Sequence, residues 1–194
     1  FNPQLVGVTA TTSSIYDAYD VAKLTKSLNP KIKVVIGGPH VTFTAKQTLQ
    51  ECPFIDIVVR REGEETFKEL VNNLEFSGEN NLFLKKIKGI TFRNNGKIEE
   101  TENRPFIKNL DEIPFPAYHL LPMDRYNLEG KRFSAIMSGR GCPFSCIFCS
   151  SSALFGKIWR ARSPENVIEE IKLLKYKYEI TGFQIFAHLY ALIL

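Results

Sequence analysis

Lys33-Val-Val-Ile-Gly-Gly-Pro-His40 is a short apolar, β-branched run that ends in a glycine pair and a proline. A continuous run of this kind, without polar alternation, suits a strand covered on both faces, which is the pattern of a parallel sheet. The same grammar repeats outward from it. Upstream, Leu5-Val-Gly-Val-Thr-Ala10 is another buried-strand run, followed by Thr11-Thr-Ser-Ser14, whose hydroxyls can serve a loop and a helix cap. Ile15, Ala18, Tyr19, Ala22 and Leu28 then recur at helical spacing. Downstream, a shorter helical stretch near Ala45 to Glu51 leads to Ile55-Asp-Ile-Val-Val59 and Arg60-Arg-Glu-Gly-Glu-Glu65. A helix from about Glu64 to Leu74 follows, with Phe67, Leu70, Val71 and Leu74 on one face. Strand-helix alternation of this kind predicts an α/β fold of parallel βαβ units, with helices over the sheet. Thr11 to Ser14, Gly37 to His40 and Glu62 to Glu65 each follow a strand, so all three loops are expected at the carboxyl edge, where open α/β sheets bind ligands.

From Phe76 to Lys88 the pattern dissolves into polar, Asn-rich sequence, a boundary loop. Ile90 to Thr101 reads as a β-hairpin turning at Asn95-Gly96, a small structural appendage. Asn103 to Pro122 holds four prolines, which exclude helix and central strand and predict an ordered linker packed by its Phe and Ile side chains. His119 falls in it as a packing or hydrogen-bonding residue. Phe133-Ser-Ala-Ile-Met137 is a further strand. Ser163, Pro164 and Glu165 then open a helix, whose buried stripe is Val167, Ile168, Ile171, Leu174 and Tyr178. Arg160 and Arg162 precede it, either at an active-site edge or as solvated flanks. Gly182-Phe-Gln-Ile-Phe opens the next strand, and His188 takes no role.

Between those strands stands Ser138-Gly-Arg-Gly-Cys142-Pro-Phe-Ser-Cys146-Ile-Phe-Cys149-Ser-Ser, which holds three of the four cysteines at spacing C-x3-C-x2-C; Cys52 is far upstream. Three thiolates on one loop can face a common centre, and soft sulfur ligands suit an iron-sulfur cluster or zinc. Paired C-x2-C motifs of a structural zinc site are absent, and three ligands for a cubane leave one iron open for substrate. Three small buried hydrophobes are the plain alternative.

That loop resembles the cluster-binding signature of the radical S-adenosylmethionine enzymes, C-x3-C-x-aromatic-C, with Phe148 as the aromatic. The resemblance implies a 4Fe-4S cluster on Cys142, Cys146 and Cys149, and S-adenosylmethionine with its adenine against the Phe148 backbone. It also implies reductive cleavage to a 5′-deoxyadenosyl radical. Val-Gly-Val-Thr-Ala-Thr-Thr, Val-Val-Ile-Gly-Gly-Pro-His-Val-Thr and Arg-Glu-Gly-Glu-Glu-Thr resemble the cobalamin-binding domain of one large subgroup. That subgroup includes enzymes similar to the anaerobic magnesium-protoporphyrin monomethyl ester cyclase and to cobalamin-dependent methyltransferases. Thr9, Gly37, Gly38, Glu62 and Gly63 are the implied cobalamin-domain contacts, and the implied reaction is methyl transfer or ring formation on a small-molecule substrate. An electron donor such as ferredoxin or flavodoxin is the implied partner. No D-x-H-x-x-G motif occurs, so no lower axial cobalt ligand is assigned, and His40 is read as a loop hydrogen-bonder.

The expected architecture is therefore three-part. Residues 1–76 form an incomplete Rossmann-like parallel sheet, 77–126 the hairpin and Pro-rich linker, and 127–194 the first β-α-β of a partial TIM-like barrel. Measured against the family pattern, the chain reads as truncated at both ends and as inactive alone. A zinc-binding interaction module, using the trio with Cys52 or a histidine, is the reading from another class. A methylthiotransferase is the second alternative, which would need more cysteines in the first domain than Cys52 supplies.

Composition constrains the rest. The chain has 194 residues, 44% hydrophobic and 24% charged, enough for one large or two small domains. No run reaches the ~20 apolar residues of a membrane span, the most apolar segment being Phe183 to Leu194. Three clustered cysteines do not make a disulfide framework, which predicts a reducing cytoplasm. The +4 formal charge is scattered over Arg60, Arg61, Lys85, Lys86, Lys88, Lys157, Arg160 and Arg162. It reads as solvated surface, with no nucleic-acid stripe.

Overall fold

The computed structural model describes residues 2–74 and 81–187, and it divides after Pro105 into two compact units. The first contains β1 (Leu5–Thr9), α1 (Ile15–Leu28), β2 (Lys33–Gly37), α2 (Pro39–Glu51), β3 (Ile57–Val59), α3 (Glu64–Leu74), β4 (Ile90–Asn94) and β5 (Lys97–Glu100). One sheet runs β1-β2-β3-β4-β5. The first three strands are parallel, with Thr9 opposite Gly37 and Ile36 opposite Val58, and β4 and β5 follow antiparallel.

The apolar runs are explained by burial from both sides. Val34, Ile36 and Val58 point into a core with Ala18, Ala22, Val41 and Leu49 of α1 and α2. Val35, Ile57 and Val59 point the other way, into a core with Leu70 of α3 and Ile87, Ile90 and Phe92. Each fully buried aliphatic side chain contributes roughly 1.5–3 kcal/mol of transfer free energy. Leu28 departs from the expected stripe and is 77% exposed. It lies six residues past Ala22, about a third of a turn off that face.

Three expectations about this unit are corrected. The hairpin is no appendage: Ile57 pairs with Phe92 and Val59 with Ile90, so β4 completes the sheet and supplies a buried aromatic. Helix α2 starts at Pro39, well before Ala45. Its first turns are β-branched, with Thr42 and Thr44 hydroxyls bonded to the Gly38 and His40 carbonyls four residues back, and Thr44 leaves helical geometry; low propensity hid this start from periodicity. Arg60 is not solvated but 6% exposed; it donates to Glu100 Oε1 and to Thr101 O, each at 2.5 Å, and fastens the end of β3 to the hairpin.

The second unit opens with Pro-rich chain broken only by 3₁₀ turns at Leu110–Glu112, Tyr118–Leu120 and Met123–Arg125, as the prolines require. Tyr118 packs inward while His119 is exposed, so the packing residue of that turn is its neighbour. Then come β6 (Asn127–Leu128), β7 (Lys131–Met137), β8 (Gly139–Arg140), α4 (Ser151–Phe155), β9 (Arg160–Ala161), α5 (Pro164–Tyr178) and β10 (Gly182–Phe186). β10 lies parallel to β7, with Phe186 opposite Met137, so β7-α5-β10 is the expected β-α-β. Ser163 Oγ accepts from Asn166 N at 3.1 Å and Pro164 occupies the first turn of α5, as the sequence signals. Val167, Ile171, Leu174 and Tyr178 pack with Ile136, Ile180 and Tyr118, whereas Ile168 is exposed. His188 and the residues after it lie outside the described residues, as do residues 76–80 of the boundary segment; the rest of that segment is no loose loop, since Asn81–Lys86 forms a 3₁₀ turn and Leu84 and Ile87 are buried in the core of the first unit.

Candidate functional site

In the first unit, β1, β2 and β3 end on the same edge, and their following loops stay together. Ala10 N donates to Gly37 O at 3.0 Å, His40 N to Ala10 O at 3.4 Å, and Arg61 N to Thr42 Oγ1 at 2.9 Å. A cleft of about 420 Å³ opens beside them, lined by Gly7, Thr9, Gly37, Gly63, Glu64 and Phe67, with Val8, Val35 and Val59. Of the five sequence-predicted residues here, Thr9, Gly37 and Gly63 line it. Gly38 stands behind Thr9, with φ of +105°; a Cβ there would lie 2.7 Å from Ala10 O and 2.8 Å from Thr9 Oγ1. Glycine is required at that point because the β1 end passes against the β2 loop. Glu62 is buried and does not line the cleft.

Gly7 and Phe67 escape a reading by sequence alone. Gly7 is a glycine inside a strand, a usable sign of close approach, and a Cβ on it would sit 3.5 Å from the Phe67 ring. Phe67 reads as core by spacing, yet its ring forms one wall. His40 Nδ1 lies 3.1 Å from Thr12 Oγ1, so it is a loop hydrogen-bonder. Cys52 is packed in the core of this unit, where burial pushes its thiol upward.

In the second unit, β7 delivers the cysteine loop at its carboxyl end. The entrance is fixed: Gly139 pairs with Ala161 and Arg140 with Arg160, and Cys142 N donates to Gly156 O at 3.0 Å. Gly141, at φ +89°, passes so close to Ile158 that a Cβ would be 2.1 Å from its carbonyl oxygen. The middle is open. Cys142 is 8% exposed, whereas Cys146 and Cys149 are exposed, Phe148 is 89% exposed and Ile147 is fully so. Among the described residues no three Cys, His, Asp or Glu side chains stand in metal-holding geometry, so the trio shares a loop without converging on one point. The donor set nonetheless fits an iron-sulfur cluster in kind, as three free thiols on one short loop. Cys149 Sγ lies 3.3 Å from Ser151 Oγ, and hydrogen bonding to Ser151 holds that thiol below its usual range.

Two arginines frame the loop, and neither is a solvated flank. Arg162 donates to Met137 O at 3.0 Å and Asn166 Oδ1 at 2.7 Å, and it pairs with Glu170. Glu170, 2% exposed, also accepts from Tyr118 Oη at 2.6 Å, and burial and then that carboxylate push the Tyr118 phenol upward. Arg160 donates to Ile107 O at 2.5 Å and Phe155 O at 2.8 Å.

The architecture is thus an α/β unit with a cleft at its carboxyl edge, and a unit that presents three cysteines at a strand end. Comparison with known proteins agrees. Residues 1–71 match the B12 binding domain family. The chain is 56% identical over 180 residues to an uncharacterized methyltransferase of Pyrococcus horikoshii, covering 93% of this chain and 38% of that protein. It is 37% identical over 191 residues to the anaerobic magnesium-protoporphyrin IX monomethyl ester cyclase of Rubrivivax gelatinosus, covering 95% of this chain and 33% of that one. The radical S-adenosylmethionine methyltransferase TsrM of Kitasatospora setae, solved with cobalamin and a 4Fe-4S cluster bound, superposes with a TM-score of 0.69 at 15% identity, over 95% of this chain and 38% of that one. At that identity the match speaks for the fold. Residues 1–71 thus form a B12 binding domain, and the chain is similar to the cobalamin-dependent radical S-adenosylmethionine methyltransferase TokK of Streptomyces tokunonensis, 30% identical over 157 residues, 78% of this chain and 22% of that protein; it spans only about a third of the length of the first two relatives, 38% and 33%. Among the described residues no helix is long and apolar enough to cross a membrane.

Proposed function

We propose that this chain is part of a cobalamin-dependent radical S-adenosylmethionine enzyme that carries out methyl transfer or ring formation on a small molecule. The observation that carries the proposal is the C-x3-C-x2-C loop at the carboxyl end of a parallel strand, preceded by a B12-type unit with its own cleft. Cys142, Cys146 and Cys149 would hold the 4Fe-4S cluster, and the Phe148 backbone would lie against the adenine of S-adenosylmethionine. When bound and reduced, the cluster supplies one electron for cleavage of the sulfonium.

The protein's residues do the holding. The fixed entrance of the loop keeps Cys142 in place, the hydrogen bond to Ser151 favours the Cys149 thiolate that ligation needs, and exposure leaves Cys146 and Cys149 free to close on the cluster. In the first unit, Thr9 offers a hydroxyl and Gly37 and Gly63 offer backbone at a wall with no side chain in the way, suited to the amide-bearing rim of a cobalamin. The electron would come from a small carrier such as ferredoxin or flavodoxin.

Anaerobic reconstitution with iron and sulfide tests the reading. About four irons per chain are expected, the number of one cubane, and Cys142→Ala, Cys146→Ala and Cys149→Ala should each lower that figure sharply. Unchanged iron in a folded triple variant would refute the cluster, and one zinc without acid-labile sulfide would favour a zinc module.

A further inference from the structure

The loop holds one cysteine differently from the other two. Cys142 is buried and its amide is bonded to Gly156 O, whereas Cys146 and Cys149 stand in solvent. What fixes Gly156 is therefore what fixes Cys142. Gly156 ends α4 at φ +86°, and a Cβ on it would come within 2.7 Å of the Phe106 ring. The Arg160 guanidinium lies 5.1 Å from the centroid of that same ring. Its two ends donate to Phe155 O, immediately before Gly156, and to Ile107 O, immediately after Phe106. Its backbone pairs with Arg140, two residues before Cys142.

We infer that Arg160 is the positioning residue of the cysteine loop, acting through Phe106 and Gly156 to hold Cys142 as the preset first ligand of the cluster, onto which Cys146 and Cys149 then close. This rests on the cluster reading given above. Arginine suits the position because a planar fork reaches two carbonyls and stacks on a ring at once, which an ammonium does not. Partners one step removed from a metal typically change its retention by about 10–100-fold when replaced.

The test uses the full chain and two readouts. In the iron-free protein, timed alkylation with peptide mapping should show Cys142 as the slowest thiol of the trio. Arg160→Gln and Arg160→Lys should both accelerate Cys142 selectively, with Cys146 and Cys149 unchanged. In the reconstituted protein the same variants should lose iron to a chelator about tenfold faster than wild type. Circular dichroism monitors folding. Should either variant unfold, Phe106→Leu takes its place, since it removes the ring and leaves the arginine; it too must accelerate Cys142 alone. Wild-type alkylation and chelation rates in folded Arg160→Gln would overturn the inference, as would equal acceleration at all three thiols. A wild-type chain that takes up no iron would instead refute the cluster reading, leaving the alkylation result to judge the positioning.

Discussion

Glu170→Ala is expected to be among the most damaging single changes in the second unit. The carboxylate is buried and has two partners, Tyr118 Oη at 2.6 Å and the Arg162 guanidinium. Its removal leaves the Arg162 side chain, 12% exposed, with neutral acceptors, chiefly Met137 O and Asn166 Oδ1. Breaking a buried pair from one side costs about 3–5 kcal/mol, because an uncompensated charge remains. Tyr118→Phe removes one donor and leaves the ion pair, so about 1.5–3 kcal/mol is expected. Arg162→Met combined with Glu170→Leu should cost less than Glu170→Ala, since no charge is then stranded. Urea unfolding followed by fluorescence of Trp159 measures all three, because the only tryptophan of the chain lies in this unit. A loss below about 1 kcal/mol for Glu170→Ala, the scale of a surface pair, would refute the reasoning, and so would a double variant as unstable as the single one.

Two further outcomes concern the first unit. Gly38→Ala should destabilise it by about 1–3 kcal/mol from backbone conformation alone, and more from the clash with Ala10 O, read as a lower thermal midpoint together with weaker cobalamin binding. Tyr19 donates to Glu51 Oε2 at 3.0 Å, and burial, followed by that bond, pushes its phenol from 10.0 to about 12. The neutral phenol is the form favoured in the fold, so its contribution is complete below pH 10 and is lost as pH rises from there toward 12. The full shift would correspond to about 2.7 kcal/mol, but Tyr19 lies at the edge of the core and its partner Glu51 is exposed, so solvent screening reduces this to about 1 kcal/mol. The stability gap between wild type and Tyr19→Phe should therefore shrink across that alkaline range, and parallel curves would contradict it.

The sheet was legible because β2 and β3 are buried on both faces, and burial of that kind writes itself into sequence as Val-Val-Ile and Ile-Val-Val. Helix α5 was legible for a local reason: its cap, proline and first-turn acid sit in three consecutive residues. Local signals also placed Thr9, Gly37 and Gly63 at one edge, since Thr9 and Gly37 end parallel strands and Gly63 follows one. What did not show was anything resting on distant partners. Arg60 and Glu100, or Tyr118 and Glu170, are 40 and 52 residues apart, and nothing near either residue signals the other. A charge reads as solvated until its partner is known. The position of β4 was hidden likewise, because Asn95-Gly96 announces a hairpin but not which strand edge receives it.

Those hidden arginines bear on how each candidate site can work. A loop that must admit a ligand is made of glycines and exposed residues, which contribute little packing to their own position. The strand ends must therefore be held from behind. In the first unit β3 ends at Val59, and the next residue, Arg60, donates its amide to Gly89 O at 2.8 Å while its guanidinium grips the hairpin. In the second, β7 ends at Met137, whose carbonyl is held by Arg162. Each guanidinium bonds several carbonyl or carboxylate oxygens in one plane, which a lysine cannot match, and its desolvation is offset only while all of them are in place. Such an arrangement has one low-energy geometry rather than several. It places stiffness at the root of each loop, beside the paired strand ends Thr9 and Gly37 in the first unit and behind the exposed Cys146 and Cys149 in the second.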